Sequence, residues 1–217
     1  MKYSAVVFDM DGLLIDSEKP ALQTFLSTCK QFDLTDSDHL YTRLLGTNQA
    51  ATQRILESAL GSQIDISAFI EQWETRYQAA IEQGVALMPG VGQLLSYLEH
   101  HGIPKAVATS TSSDKALGKL DKAGLLDRFV SVTGGDQVNA GKPAPDLFLA
   151  AAISLQTTAG QCIALEDSPN GVRAAVAAGM HTIQIPDLVQ PDDDLLKLGH
   201  AVLPNLQSVP DYLQSLP

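Results

Sequence analysis

A doubly wound parallel α/β sheet, interrupted near its start by a block of helices, is the fold class this sequence predicts. Three observations predict it. An apolar run over residues 3–8 reads as a short buried strand that stops abruptly at two carboxylates, Asp9 and Asp11. From Met88 onward, short apolar runs alternate with helical patterns, as strand–helix units on a parallel sheet require. Between these parts, residues 14 to about 82 carry helical spacing and no alternating strand pattern.

Each element has its own signal. The first strand runs into Val6-Val7-Phe8-Asp9-Met10-Asp11-Gly12, which sets two acids spaced i, i+2 beyond a strand's carboxyl end. Ligands bind at that edge in open α/β sheets. Gly12 lets the backbone turn sharply or lets a ligand come close. In the helical block the apolar positions are Leu22, Phe25, Leu26 and Cys29, then Leu40, Leu44 and Leu45. Ile55, Leu56, Ala59 and Leu60 follow, then Phe69, Ile70, Trp73, Tyr77 and Ile81, which makes about four helices punctuated by glycines. Beyond Pro89-Gly90, helices are expected over 91–101, 114–122, 146–155 and 171–178, and strands over 105–108, 129–132, 162–165 and 182–185. The acidic run Asp192-Asp193-Asp194 reads as a helix start on a solvated face.

At 217 residues the chain fits one sizeable core with a smaller inserted unit, divided as 1–15 plus 83–217 for the core and 16–82 for the insert. A hydrophobic share of 45% with 18% charged residues supports a packed core and excludes disorder. The net charge of −11 argues against nucleic acid or an anionic membrane surface as partner. An anionic substrate would therefore need local positive charge, from a bound cation or a placed lysine. Cys29 and Cys162 form no disulfide pattern, and the five histidines show no zinc-ligand spacing. No apolar stretch reaches the ~18 residues of a membrane span, and Met1-Lys2 leads straight into the first strand. The expectation is a soluble, cytoplasmic, monomeric protein acting on a small molecule.

Three strand ends converge on one edge of this sheet: Asp9/Asp11, Thr109/Ser110 and Glu166/Asp167, with Lys142 on the loop between the last two. Clustered carboxylates need compensation. A hard cation with oxygen ligands such as Mg²⁺ supplies it, and the lysine and hydroxyl groups offer donors to a phosphate.

Asp9-x-Asp11, Thr109, Lys142-Pro143 and Glu166-Asp167, in that order and on those elements, resemble the four motifs of the haloacid dehalogenase (HAD) superfamily. The resemblance implies a Rossmann-like core with an all-helical C1 cap. The stretches Asp9 to Glu18, Gly141-Lys142-Pro143-Ala144-Pro145-Asp146 and Glu166-Asp167-Ser168-Pro169-Asn170-Gly171-Val172 are similar to its β-phosphoglucomutase-like branch, which includes the pseudouridine-5′-phosphatase. Carried over by position, Asp9 is the nucleophile that forms an aspartyl-phosphate, and Asp11 is the general acid and then the base. Asp9, the main-chain carbonyl of Asp11, Asp167, and Glu166 directly or through water hold Mg²⁺. Thr109 and Ser110 bind the phosphoryl group, and Lys142 neutralises nucleophile and phosphate.

The implied function is a Mg²⁺-dependent phosphatase for a small phosphomonoester, either a sugar phosphate or a nucleoside 5′-monophosphate. Asp11 disfavours a dehalogenase, and the absence of lysine between Lys30 and Lys105 disfavours a Schiff-base phosphonate hydrolase. The alternative is a phosphosugar mutase of the β-phosphoglucomutase type; a catalytically idle binding protein is the outside reading. In the segment Gly46-Thr47-Asn48-Gln49-Ala50, assigned to substrate binding through Gly46 and Gln49, a glutamine stands where the mutase carries an arginine for its second phosphate. Gln49 cannot clamp a phosphate bidentately, which favours hydrolysis unless Arg43 or Arg54 substitutes. Trp73 and Tyr77 are assigned to cap packing before a substrate platform, and Arg76 to a solvated face. Ser168 and Asn170 are expected to cap the helix after the last motif, and Asp136 and Asp146 to orient Lys142 or serve as ordinary loop and cap residues.

Overall fold

The computed structural model describes residues 3–35, 37–45, 47 and 49–216. In chain order its elements are β1 (Ala5–Phe8), α1 (Glu18–Gln31), α2 (Asp38–Tyr41), α3 (Gln49–Leu60), α4 (Ile66–Glu82) and α5 (Val91–His100). Then come β2 (Lys105–Ala108), α6 (Ser113–Lys122), β3 (Ser131–Thr133), α7 (Asp146–Ser154), β4 (Cys162–Glu166), α8 (Pro169–Ala177) and β5 (His181–Gln184). The chain finishes with α9 (Asp193–Leu196), β6 (Ala201–Val202) and α10 (Val209–Ser215).

The six strands form one sheet in the order β3-β2-β1-β4-β5-β6, and every pairing is parallel. β1 and β4 are buried along their whole length, which is why they read as unbroken apolar runs. Alternate residues of β1 serve opposite faces. Val6 and Phe8 join the face covered by α5, α6 and α10; Ala5 and Val7 join the face covered by α7 and α8. The second face is rich in alanine, including Ala106, Ala108, Ala164, Ala151 and Ala174, so those helices sit close to the sheet. The strand order reverses between β1 and β4, and their carboxyl ends open the crevice where such sheets bind ligands.

Helices α1–α4 share a separate core in which Phe25 is fully buried and meets Phe69 and Trp73 edge-on at centroid distances of 5.6 and 5.1 Å. Asp65 caps α4 by accepting from the main-chain N–H groups of Ser67 and Ala68. No helix among the described residues is long and apolar enough to cross a membrane.

Bounds differ from the sequence expectation by more than one residue at β3 and α8, and β6 and α10 are not expected from the sequence. β3 lies at Ser131–Thr133 rather than 129–132, because a 3-10 turn over Leu126–Arg128 uses the preceding residues. α8 starts at Pro169 rather than residue 171, since proline is preformed for a helix's first position and Ser168 Oγ accepts from the Gly171 N–H. The two-residue strand β6 carries no periodic signal and is not predicted at all. The acidic run does open α9, with Asp192 as its cap.

Candidate active site

Asp9 follows β1 directly, and its N–H donates to the Leu165 carbonyl of β4, which fixes the two strand ends together. Lys142, on the loop before α7, donates from Nζ to Asp9 Oδ1 and to Glu166 Oε1, the latter at 2.6 Å. The ammonium is buried and lies 5.2 Å from the centroid of Phe148 beneath it. Glu166 is fully buried, and its Oε2 accepts from the N–H and hydroxyl of Ser168 at 2.7 and 3.1 Å. Asp9, Glu166 and Asp167 each present an oxygen within 4.8 Å of the others.

Three carboxylates around one lysine leave an excess of negative charge. Burial, then the charge of Glu166, hold the Asp9 carboxyl up at about 8 against the pull of Lys142. Burial and the neighbouring Glu166 and Asp9 push Asp167 well above the usual carboxylate range. Burial works against the Lys142 ammonium, yet the charges of Asp9 and Glu166 outweigh it and keep its pKa raised. Asp167 Oδ1 is buried without a hydrogen-bond partner. A hard divalent cation fits this all-oxygen set: it satisfies the orphaned atom and relieves the charge excess that raises both aspartates.

Two glycines make the cluster possible. Gly12 takes a positive φ of 81°, and a β-carbon there would stand 2.6 Å from Asp167 Oδ2. At Gly171, in the first turn of α8, a β-carbon would occupy the space of the Glu166 carboxylate itself. Gly171→Ala is therefore expected to displace Glu166, to cost about 3 kcal/mol in urea unfolding, and to depress any activity that depends on Lys142. An alanine variant of wild-type stability would refute that close approach.

Asp11 is held apart from the carboxylate cluster. Its Oδ1 accepts from Ser17 Oγ and Lys119 Nζ, both at 2.7 Å; its Oδ2 accepts from Thr111 Oγ1 at 2.7 Å and Thr109 Oγ1 at 3.4 Å. These donors, Lys119 foremost, overcome the cost of burial and keep the Asp11 carboxyl below its usual range. Thr109 is buried at the end of β2, and its hydroxyl also accepts from the Thr111 N–H at 3.1 Å.

These groups floor a cavity of about 490 Å³. Ser110 lines it on the sheet side, and Gln49, at the start of α3, lines the opposite wall. Gly46, the other residue assigned to substrate, lies outside the described residues. Trp73 and Tyr77 line the cavity as well; Trp73 also packs on Phe25 and donates from Nε1 to the Ala21 carbonyl at 3.2 Å, so packing and lining coincide. Glu18 reaches the cavity with Tyr41 donating to Oε2 at 2.7 Å, and burial lifts its carboxyl to about 7.

Among the described residues, the basic side chains lining the cavity are Lys115, Lys119 and Lys142. Each is paired, with Glu74, Asp11 and Asp9/Glu166 respectively. Neither Arg43 nor Arg54 lines it; Arg54 donates to the Ala50 carbonyl. Arg76 is also absent from the lining and links α4 to α1 through Gln31. Asp136 does not reach Lys142: its Oδ1 accepts from the Ser113 N–H and hydroxyl, which caps α6. Ser168 caps α8 as expected, whereas the Asn170 amide donates to the Leu45 carbonyl at 3.5 Å. Sequence reasoning missed Ser17, Thr111 and Lys119. Lys119 left one trace, a charge at i+3 on the apolar stripe of Ala116 and Leu120.

Buried acids and a lysine at the switch point of a parallel sheet, under a small polar cavity, define a hydrolase of the HAD type. The chain belongs to the haloacid dehalogenase-like hydrolase family, whose model matches residues 6–185. It is 30% identical over 179 residues to a phosphorylated carbohydrates phosphatase of Thermotoga maritima, covering 82% of this chain and 83% of the relative. It is 33% identical over 185 residues to hexitol phosphatase A of Escherichia coli, covering 85% and 84%. A mutant CbbY from Rhodobacter sphaeroides, solved with xylulose-(1,5)bisphosphate, superposes with a TM-score of 0.76 at 27% identity, over 94% of this chain and 95% of that one.

Proposed function

We propose that this protein is a Mg²⁺-dependent phosphatase that hydrolyses a small sugar or polyol monophosphate through an aspartyl-phosphate on Asp9. The chain is a phosphoric monoester hydrolase; metal, intermediate and substrate are the finer reading. The observation that carries it is Lys142 bridging Asp9 and Glu166 beside the unpartnered Asp167 Oδ1, on the floor of the cavity. In this reading residues 16–82 form the cap and 1–15 with 83–217 the core. Asp9, Asp167 and the main-chain carbonyl of Asp11 would hold Mg²⁺, with Glu166, already bonded through both oxygens, left to act indirectly. A cation held there would offset charge on the phosphoryl oxygens as the Asp9 carboxylate approaches.

The chain's own groups do the rest. An Asp9 oxygen forms a bond to phosphorus as the bond to the leaving oxygen breaks, with Lys142 neutralising charge on the attacking side. Thr109 and Ser110 hydrogen-bond the phosphoryl group. Asp11 gives a proton to the leaving alkoxide, then takes one from the water that cleaves the acyl phosphate. Away from the floor, the walls offer Gln49, Thr47, Thr52 and Gln78, neutral groups suited to hydroxyls. Among the described residues no arginine lines the cavity and each lining lysine is paired with a carboxylate, which supports hydrolysis over transfer within a sugar. The names of the carbohydrate and hexitol phosphatase relatives point the same way.

Phosphate release from a panel of sugar and polyol phosphates, nucleoside monophosphates and phosphoglycolate tests this, with Mg²⁺ and with EDTA. Release confined to Mg²⁺ and greatest for a polyhydroxylated monophosphate is the expected result. Conversion of β-glucose 1-phosphate to the 6-phosphate without release would replace the reading with a mutase. No turnover of any ester would leave a binding protein.

A further inference from the structure

We infer that Lys119 is a positioning residue for the Asp11 carboxylate and that Tyr77, from the helical insert, closes over that pair. The inference rests on the reading of Asp11 as the acid and base. Lys119 projects from α6 on the core side and is 6% exposed. A buried ammonium is tolerated when it is paired and hydrogen-bonded, and its Nζ donates to Asp11 Oδ1 at 2.7 Å. The other groups on Asp11 are the hydroxyls of Ser17, Thr109 and Thr111. A hydroxyl turns between donating and accepting, so it follows whatever Asp11 does; an ammonium can only donate. Lys119 is thus the partner that keeps Oδ1 in one place and leaves Oδ2 toward Thr109, the hydroxyl assigned to the phosphoryl group.

Tyr77 makes this arrangement depend on the insert. Its ring, on α4, lies with its centroid 5.1 Å from Lys119 Nζ, on the wall of the same cavity. A cation against an aromatic face is held there. One helix turn away, Glu74 of α4 pairs with Lys115 of α6 at 3.3 Å, a second side-chain contact between the two helices. With α4 on α6, Tyr77 covers the ammonium that holds Asp11 in place.

The test separates a positioning role from a structural one by leaving group. In Lys119→Met, kcat for an alkyl phosphate should fall about 100-fold, the usual cost of a misplaced proton donor, with KM within about 3-fold of wild type. First-turnover release of nitrophenolate from p-nitrophenyl phosphate, a leaving group that needs no proton, should stay within about 3-fold. Tyr77→Ala should lower alkyl-ester kcat in the same direction, and the double variant should be no slower than Lys119→Met alone. If Lys119→Met does not fold, Lys119→Gln, which keeps a donor, should fall between it and wild type. Equal losses in first-turnover release from both esters, a raised KM at unchanged kcat, or no change would overturn the inference. Asp11→Asn distinguishes its failure from that of the underlying reading. If that variant still turns over alkyl esters, the assignment of Asp11 falls; if it is inactive while Lys119→Met keeps the wild-type kcat, the role of Lys119 alone falls.

Discussion

Asp9→Asn is expected to lose about 10³-fold or more in phosphate release while leaving the metal-free fold as stable as wild type, or more so. An amide cannot form the acyl phosphate. The stability half follows from burial: Asp9 sits with Glu166 and Asp167 around a single lysine, and its carboxyl is held up at about 8 from an ordinary 3.8. In that interval the folded protein keeps a proton that the unfolded chain has released, so stability falls as pH rises. Asparagine has no such proton. In EDTA the wild-type melting temperature should therefore decline from about pH 4 to 8 more steeply than the variant's, with Asp167 contributing to the slope in both. Adding Mg²⁺ should raise the melting temperature of wild type more than that of Asp9→Asn. Surviving activity would show that Asp9 is not the nucleophile, and parallel pH slopes would show that its burial is already compensated.

How much of this was legible depended on how local each feature is. β1 and β4 were readable because strands buried on both faces are uninterrupted apolar runs, and acids that end such strands have one edge to occupy. Lys142 was readable through its loop motif, but its double pairing to Asp9 and Glu166 spans 133 and 24 residues and belongs to tertiary geometry. The same is true of Lys119, whose partner Asp11 lies 108 residues away. Asp136 illustrates the converse. Its proximity in sequence to Lys142 suggested a link, yet the nearer demand was the open N–H of α6, and the carboxylate went there. β6 was invisible because two residues cannot display a period. Gln49, assigned to substrate binding from the sequence, lines the cavity, but which of the wall's neutral groups meets a substrate hydroxyl depends on a packing pattern that cap-core residues share.

Lys142→Met should show that the lysine is structural and chemical at once. Methionine fills the volume over Phe148 but leaves Asp9 and Glu166 buried with no counter-charge, a change that costs about 3–5 kcal/mol when one partner of a buried pair is removed. The loss should be smaller at pH 5 than at pH 8, because Asp9 takes up a proton more readily once the cation is gone. Arginine should not rescue it: a planar guanidinium cannot sit between two carboxylates in a slot shaped for an ammonium over an aromatic ring. The informative partner is Glu166→Gln. In the double variant one of the two stranded charges is removed, so urea unfolding should recover part of the lost stability. Phosphate release should recover none of it, since the phosphoryl oxygens in the transition state still lack the lysine's charge. Recovery of both together would mean that Lys142 acts only through the fold; recovery of neither would mean that Glu166 is held by Ser168 and the α8 N-terminus without need of the cation.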